Sequence, residues 1–417
     1  MEPDKKVSTR NPNREEMAVI TIYACISAYI AGDQLLSPFI LSTIVRVFEL
    51  LCLALIAWNY YILIRLHSVY KYRGWALVLL IFLAINNLLI IVRGDYSGGI
   101  KDLVLDKFAY DAIPAYVLPF IVLFLPNRKY FKLILQVLFF SMLFILPIWL
   151  INALDLVQEE YYAEAIGAYL PFYGIILLQF RRRFSIRQQV EMIGIYLVYL
   201  LLMILNARRN MVVSLTLYFV LGIIISCYTL MRRSMRIRII MLGGAFFVIL
   251  LVFLNWDTLS TTVFSRILYR GFEDSRSGVE LLMITDFASS PASDWVIGRG
   301  LDGTYAQMTE NKDTYEVLAD RGVIETGYLY LILKGGVLYV ILILLFLFTA
   351  FFRGISFKKT HLTGLSIVLL VYLLDLYMTN PVSYFSVRTV VFWLIVSVCL
   401  QYSKPNERIK NENSPYM

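Results

Sequence analysis

Apolar runs of roughly 17 to 25 residues recur along this chain, each long enough to cross a ~30 Å hydrocarbon layer as a helix. Backbone inside lipid finds no water to bond, so such runs must form helices, and any broken stretch must face protein or a water-filled cavity. Composition agrees: of 417 residues, 59% are hydrophobic and 16% charged, far from the balance of soluble domains. The chain therefore reads as one all-α polytopic integral membrane domain over residues 1–417, with no soluble domain of normal size left over. Twelve spans are expected, at 17–36, 39–64, 74–92, 112–126, 131–152, 166–180, 189–206, 211–230, 237–255, 325–352, 362–380 and 384–402.

Lysine and arginine orient these spans. With both termini in the cytoplasm, the inner segments hold 24 of the 38 basic residues and the outer ones 12. This is the bias expected of cytoplasmic loops. The remaining two, Arg46 and Lys334, fall within spans. "RRRFSIR" and "MRRSMRIR" belong to inner loops, so the net charge of +8 implies anionic lipid as the partner and gives no case for nucleic acid. Cys25, Cys52, Cys227 and Cys399 lie in apolar spans and read as small buried hydrophobes, without metal or disulfide spacing.

Outer loops are short except for residues 256–324, a large extracytoplasmic loop between the ninth and tenth spans. It mixes glycine turns, aromatic rings, arginines and carboxylates, a blend suited to sugar faces, hydroxyls and phosphate oxygens. The alternative is a lightly folded lid without chemistry. "LLMITDFA" within it has the pattern of a short helix, and Leu103, Val104, Leu105, Phe108 and Ala109 stripe another in the outer segment 93–111. A deep outer-facing cavity roofed by the long loop is the expected architecture.

Charges placed against the membrane pattern are the candidate site. Arg208 and Arg209 interrupt two spans on the outer face, where either a phosphate or a loop carboxylate would meet them. Glu325 stands where the long loop re-enters the membrane, as an acceptor-side base or as a helix N-terminal carboxylate, with Asp320 and Glu280 as substitutes. Lys334 lies about 13 Å further along the same helix, either paired with an acid or facing a polar cavity. Gly335 and Gly336 beside it permit close packing. Arg46 and Glu49, three residues apart, read as a mutually neutralising pair, and Asn86 and Asn87 as interhelical hydrogen-bonding groups. The two histidines, His67 and His361, both sit at cytoplasmic ends, which leaves no Ser-His-Asp system or histidine-ligated metal for the outer face. "GRGLDG" (298–303) carries no weight as a nucleotide motif, being an outer loop of a helical chain.

Three stretches carry a resemblance: "NARRNMVVSL" (206–215), "SRSGVELLMITDFASSPASDWVIGRGLDGTY" (275–305) and "IETGYLYLILKGGVLY" (324–339). Together with the late outer loop, they resemble the Wzy-type O-antigen and capsular polysaccharide polymerases and, more distantly, the O-antigen ligases. Ligases place a histidine and an asparagine where this chain has Glu325 and Thr326, a departure that points towards polymerase. The resemblance implies a GT-C-like membrane glycosyltransferase that joins undecaprenyl-pyrophosphate-linked repeat units without a metal or other cofactor. A flippase and a chain-length regulator would be its partners. It implicates Arg209, Arg276 and Glu325 in catalysis, and Arg208, Arg299, Arg321, Asp320, Glu280, Lys334, Tyr305 and Tyr328 in holding substrate.

Overall fold

The computed structural model describes residues 12–32, 42–109, 111–138, 277–306, 326–357, 360–378 and 385–402, with scattered positions in 141–224 and 321–324. Arg208, Arg209, Arg276, Asp320 and Glu325 lie outside the described residues, as do the expected spans 166–180 and 237–255.

Among the described residues the secondary structure is helical. Helix α1 runs Pro12–Ala31, α2 Ser42–Arg65, α3 Trp75–Val92, α4 Ile100–Lys107 and α5 Ile113–Phe124. The long loop read from the sequence contributes α6, Ser277–Ser289, and α7, Ala292–Ile297. Then come α8, Gly327–Ser356, α9, Thr360–Met378, and α10, Val387–Gln401. Helices α2, α3, α5, α8, α9 and α10 fall on expected spans with ends moved by a few residues. The first span begins earlier than expected, because its polar first turn is helical too: Glu15 is buried against the Lys129 ammonium at 2.9 Å.

Stretches Thr43–Arg65, Trp75–Val92 and Gly327–Ser356 are long and apolar enough to cross a membrane, and Ile113–Phe124, Leu362–Leu373 and Arg388–Gln401 are shorter apolar helices. This makeup is compatible with an all-α membrane protein. Helix α3 shows how a span divides its surface. Ala76, Leu79, Leu80, Leu83, Asn86, Asn87 and Ile90 recur at helical spacing and are buried. Leu77, Ile81, Phe82, Ile85, Leu88 and Val92 leave the opposite face exposed and apolar. A helix apolar all round with one face outward is what lipid contact requires.

Polar groups stitch the interior. Asn87 donates to the Tyr116 carbonyl at 2.7 Å, linking α3 to α5 as expected. Arg46 meets Glu49 at 2.5 Å, also as expected, with Glu49 fully buried. Helix α5 stops ahead of Pro126, whose ring disfavours the helical conformation at the preceding residue, and Leu125 is extended. Its freed carbonyls are met from elsewhere: Gln401 donates to Leu125 at 2.6 Å and Tyr72 to Leu123 at 2.8 Å. Helix α10 is buried from Val390 through Leu400 and forms the axis against which α5, α8 and α9 pack. Cys25, Cys52 and Cys399 are buried in apolar surroundings.

Candidate functional site: the junction of the loop with α3 and α8

Helix α8 is the longest apolar element, yet it is not continuous. Gly336 adopts φ +71°, ψ −177°, which interrupts the helix. A break at this point would leave carbonyls of the preceding turn unbonded, at a cost of several kcal/mol each in a dry interior. The outer loop supplies the missing donors. Arg299 N–H bonds the Leu333 carbonyl at 2.7 Å, Gly300 N–H bonds Lys334 at 3.0 Å, and Leu301 N–H bonds Ile90 of α3 at 2.9 Å. The loop therefore seats into the break by main-chain hydrogen bonds.

Glycines make that approach possible. A Cβ on Gly336 would stand 2.2 Å from the Val296 carbonyl oxygen, and one on Gly298 would stand 2.5 Å from the Lys334 carbonyl. Gly298 has φ +67°, in the left-handed region that favours glycine. Two readings from the sequence gain structural detail here. "GRGLDG", set aside as a weak nucleotide motif, is the docking turn. Gly335 and Gly336, read as helix packing, admit loop backbone at Gly336, while Gly335 faces Ile90.

Lys334 projects from this seam. Its ammonium donates to the Leu301 and Gly303 carbonyls, both at 2.9 Å, and lies 5.6 Å from the Tyr330 ring centroid. A Cβ placed on Gly322, the residue after Arg321, would lie 3.9 Å from the same nitrogen. Among the described residues Lys334 is held by carbonyls of the loop and forms no ion pair. Beyond the break, the stretch from Val337 to Arg353 rises about 24 Å at ~1.5 Å per residue, most of the thickness of a hydrocarbon layer.

More charge gathers around the seam. Arg93 donates to the Ile297 carbonyl at 3.1 Å and to Gly298. Asp302 accepts from Lys107 at the end of α4 and from the Asp95 N–H, both at 2.6 Å. Asp111, between α4 and α5, is partly buried and interacts electrostatically with Lys334, Arg46 and Asp302. Burial holds its carboxyl above the usual carboxylate range, against the pull of its own backbone N–H and of Lys334 and Arg46. Sequence reasoning missed Asp111, although it shows the sign that singled out Glu325: a carboxylate at the mouth of an apolar run.

Other expected contacts have definite places. Arg299 bonds Asp286 at 2.5 Å and Asp294 at 3.0 Å, donates to the Thr304 carbonyl and Ser290 Oγ, and lies over the Phe287 ring. Its guanidinium is committed to fastening α6, α7 and the docking turn together. Tyr305 is buried and pairs with Arg321 in an antiparallel bridge, N–H to carbonyl at 3.0 and 2.9 Å. With Met283, Phe287, Ile324, Tyr330 and Leu333 it forms a small apolar core of the loop. This core absorbs the first turns of α8. Glu280 accepts from the Thr326 hydroxyl, which brings α6 to the start of α8 beside position 325. Tyr328 donates to the Leu373 carbonyl at 2.9 Å and ties α8 to α9. Among the described residues no group of histidine, cysteine and carboxylate side chains is arranged to hold a metal ion.

The junction offers a fixed ammonium, a partly buried carboxylate and a cap whose shape is set by internal ion pairs. Such an arrangement can receive an anionic group and handle a proton at one interface. In comparisons with known proteins, no family model matches the chain and no curated protein matches it.

Proposed function

We propose that this chain is a polytopic membrane glycosyltransferase that polymerises undecaprenyl-pyrophosphate-linked repeat units into O-antigen, capsular or exopolysaccharide chains. It works at the outer face of a bacterial inner membrane, with about twelve spans, a GT-C-like architecture and both termini cytoplasmic. The reading rests on the three stretches that resemble Wzy-type polymerases, two of which include the parts of the outer loop and α8 that meet at the break.

One observation carries it: the loop's docking turn seats in the break of α8 and holds the Lys334 ammonium through the Leu301 and Gly303 carbonyls, near the loop end of an apolar helix long enough to cross a membrane. With Arg353 towards the inner boundary, this end of α8 lies towards the outer one, where the pyrophosphate of a lipid-linked sugar resides. Preorganised cations at that level stabilise a pyrophosphate leaving group as its charge develops. Arg208, Arg209 and Arg276 belong to the same role by the resemblance, and carboxylates near the loop orient the acceptor hydroxyl.

The test uses a cell in which this protein is the sole polymerase for a surface glycan. The gene is deleted and restored as wild type or Arg209→Ala at equal membrane levels, and glycan length is resolved on a gel. Single repeat units after deletion, with the ladder returning only for wild type, support polymerisation. Complete loss of surface glycan with units retained inside identifies a flippase and overturns the proposal.

A further inference from the structure

On the side that the sequence places in the cytoplasm, several cations are committed to the protein itself. Lys129 pairs with Glu15 at 2.9 Å, Arg128 lies over the Tyr402 ring, and Arg353 donates to the Tyr402 carbonyl at 3.1 and 3.2 Å. The turn 66–74, between α2 and α3, differs. Residues 65–75 include Arg65, His67, Lys71 and Arg73 and no acidic residue. Among the described residues Lys71 and Arg73 make no hydrogen bond or ion pair, and both are exposed.

This turn holds its charges on a fixed backbone. Ser68 N–H bonds the Leu63 carbonyl at 3.0 Å, and Tyr70 N–H bonds the Phe124 carbonyl at the end of α5 at 2.8 Å. Tyr72, between the two cations in sequence, is buried, with its hydroxyl on the Leu123 carbonyl at 2.8 Å. It anchors the stretch that presents Lys71 and Arg73 outward. A cation on such a frame loses less freedom on meeting an anion than one on a loose loop.

Aromatic rings stand at the same boundary. Near the end of α2, Trp58 and Tyr61 are exposed, with ring centroids 5.9 Å apart. Arg65 donates to the Tyr61 hydroxyl at 2.6 Å and lies 5.0 Å from that ring's centroid. Trp75 is exposed where α3 begins. Tryptophan and tyrosine favour the headgroup level of a bilayer. Helix α2 packs on α1, and α3 on α8 and α5, so outward apolar faces of both helices flank the turn.

We propose that the α2–α3 turn is a docking site for an anionic phospholipid. Lys71 and Arg73 take the phosphate oxygens, Trp58, Tyr61 and Trp75 lie against the glycerol and ester region, and the acyl chains follow the exposed faces of α2 and α3. The inference rests on the membrane reading of these helices and is independent of the transferase activity. Charge complementarity selects the occupant: a cationic segment free of acids, set between two apolar faces, suits a molecule that joins one anion to two apolar chains. A soluble phosphate would leave the rings and the apolar flanks without a role. The basic bias of inner loops explains why cations stand on this side. It does not explain their fixed projection beside exposed rings.

Native mass spectrometry of the full-length protein in neutral detergent tests this, with phosphatidylglycerol or phosphatidylcholine titrated in. Wild type is expected to bind a first phosphatidylglycerol in preference to phosphatidylcholine. Lys71→Gln with Arg73→Gln should weaken that binding roughly 10-fold or more. Arg14→Gln with Lys132→Gln removes the same charges from exposed positions elsewhere and should leave it near wild type. Trp58→Ala with Trp75→Ala should weaken it with both cations in place.

Three results overturn the assignment. Equal weakening in the two charge-reduced proteins leaves only diffuse attraction, and displacement of the lipid by inorganic phosphate at matched concentration makes the ligand a free anion. Equal binding of the two lipids by wild type removes the selectivity altogether. The surface-glycan assay tests the transferase reading separately, so either conclusion can fail without the other.

Discussion

Arg299 N–H bonds the carbonyl of Leu333 at 2.7 Å, although Leu333 lies inside a 30-residue helix whose carbonyls would ordinarily be taken. The bond exists because Gly336 breaks the helical ladder one turn further on. It joins the outer loop to a long apolar helix through the main chain, and so makes the loop's position independent of any one side chain.

Gly336→Ala should undo that docking. The new Cβ meets the Val296 carbonyl at 2.2 Å, on a backbone at φ +71°. Left-handed strain and overpacking together predict a loss of about 2 to 4 kcal/mol. Thermal unfolding in detergent measures it, with tryptic cleavage at Arg299 and Arg321 reporting loop release. Gly322→Ala is the control, since its Cβ meets only ordinary contacts from 3.7 Å outward and its backbone is unstrained. A stable Gly336→Ala with a protected loop would contradict the role given to the break.

Arg46→Met should be among the most harmful single changes in α2. It leaves the fully buried Glu49 without the guanidinium now 2.5 Å away, a loss of about 3 to 5 kcal/mol. Replacing both, Arg46→Met with Glu49→Met, should recover most of that loss, because an apolar pair avoids the desolvation penalty. Unfolding curves of the two single variants and the double variant give the coupling energy directly.

Asp111→Asn should stabilise the fold at neutral pH. The sign follows from linkage. A carboxyl whose folded value is raised binds its proton more tightly folded than unfolded, so folding is penalised once pH exceeds the ordinary value of 3.8. That penalty grows as pH rises through the folded value, then levels off. The melting-temperature advantage of Asp111→Asn should therefore be full at neutral pH and vanish below the ordinary carboxylate range. Equal melting curves for variant and wild type at neutral pH would mean that the carboxylate sits there without strain.

Much of the helical plan was legible from residue order. Hydropathy is a local property, and a helix satisfies its own backbone bonds, so the long apolar runs at 42–65, 75–92 and 327–356 declare themselves without neighbours. The pair Arg46 and Glu49 and the bonding of Asn87 were readable for the same reason: spacing on one helix, or a polar amide that must find a partner in an apolar wall.

What residue order could not supply was the meeting of distant segments. "GRGLDG" and "KGG" look like generic loop and packing glycines, and only their juxtaposition gives them a shared purpose. Arg299 reads as a sugar or phosphate contact until Asp286 and Asp294 are found beside it, and Lys334 reads as a charge within a span until the Leu301 and Gly303 carbonyls meet it. Asp111 has its carboxyl raised first by burial among packed segments, against the pull of Lys334 on α8 and Arg46 on α2. The sequence by itself determined the apolar helices, because each is stabilised by its own backbone and by the solvent it avoids. The tertiary structure alone decided which charges are consumed as braces and which remain at the junction, because that depends on hydrogen bonds and fields between residues far apart in the chain.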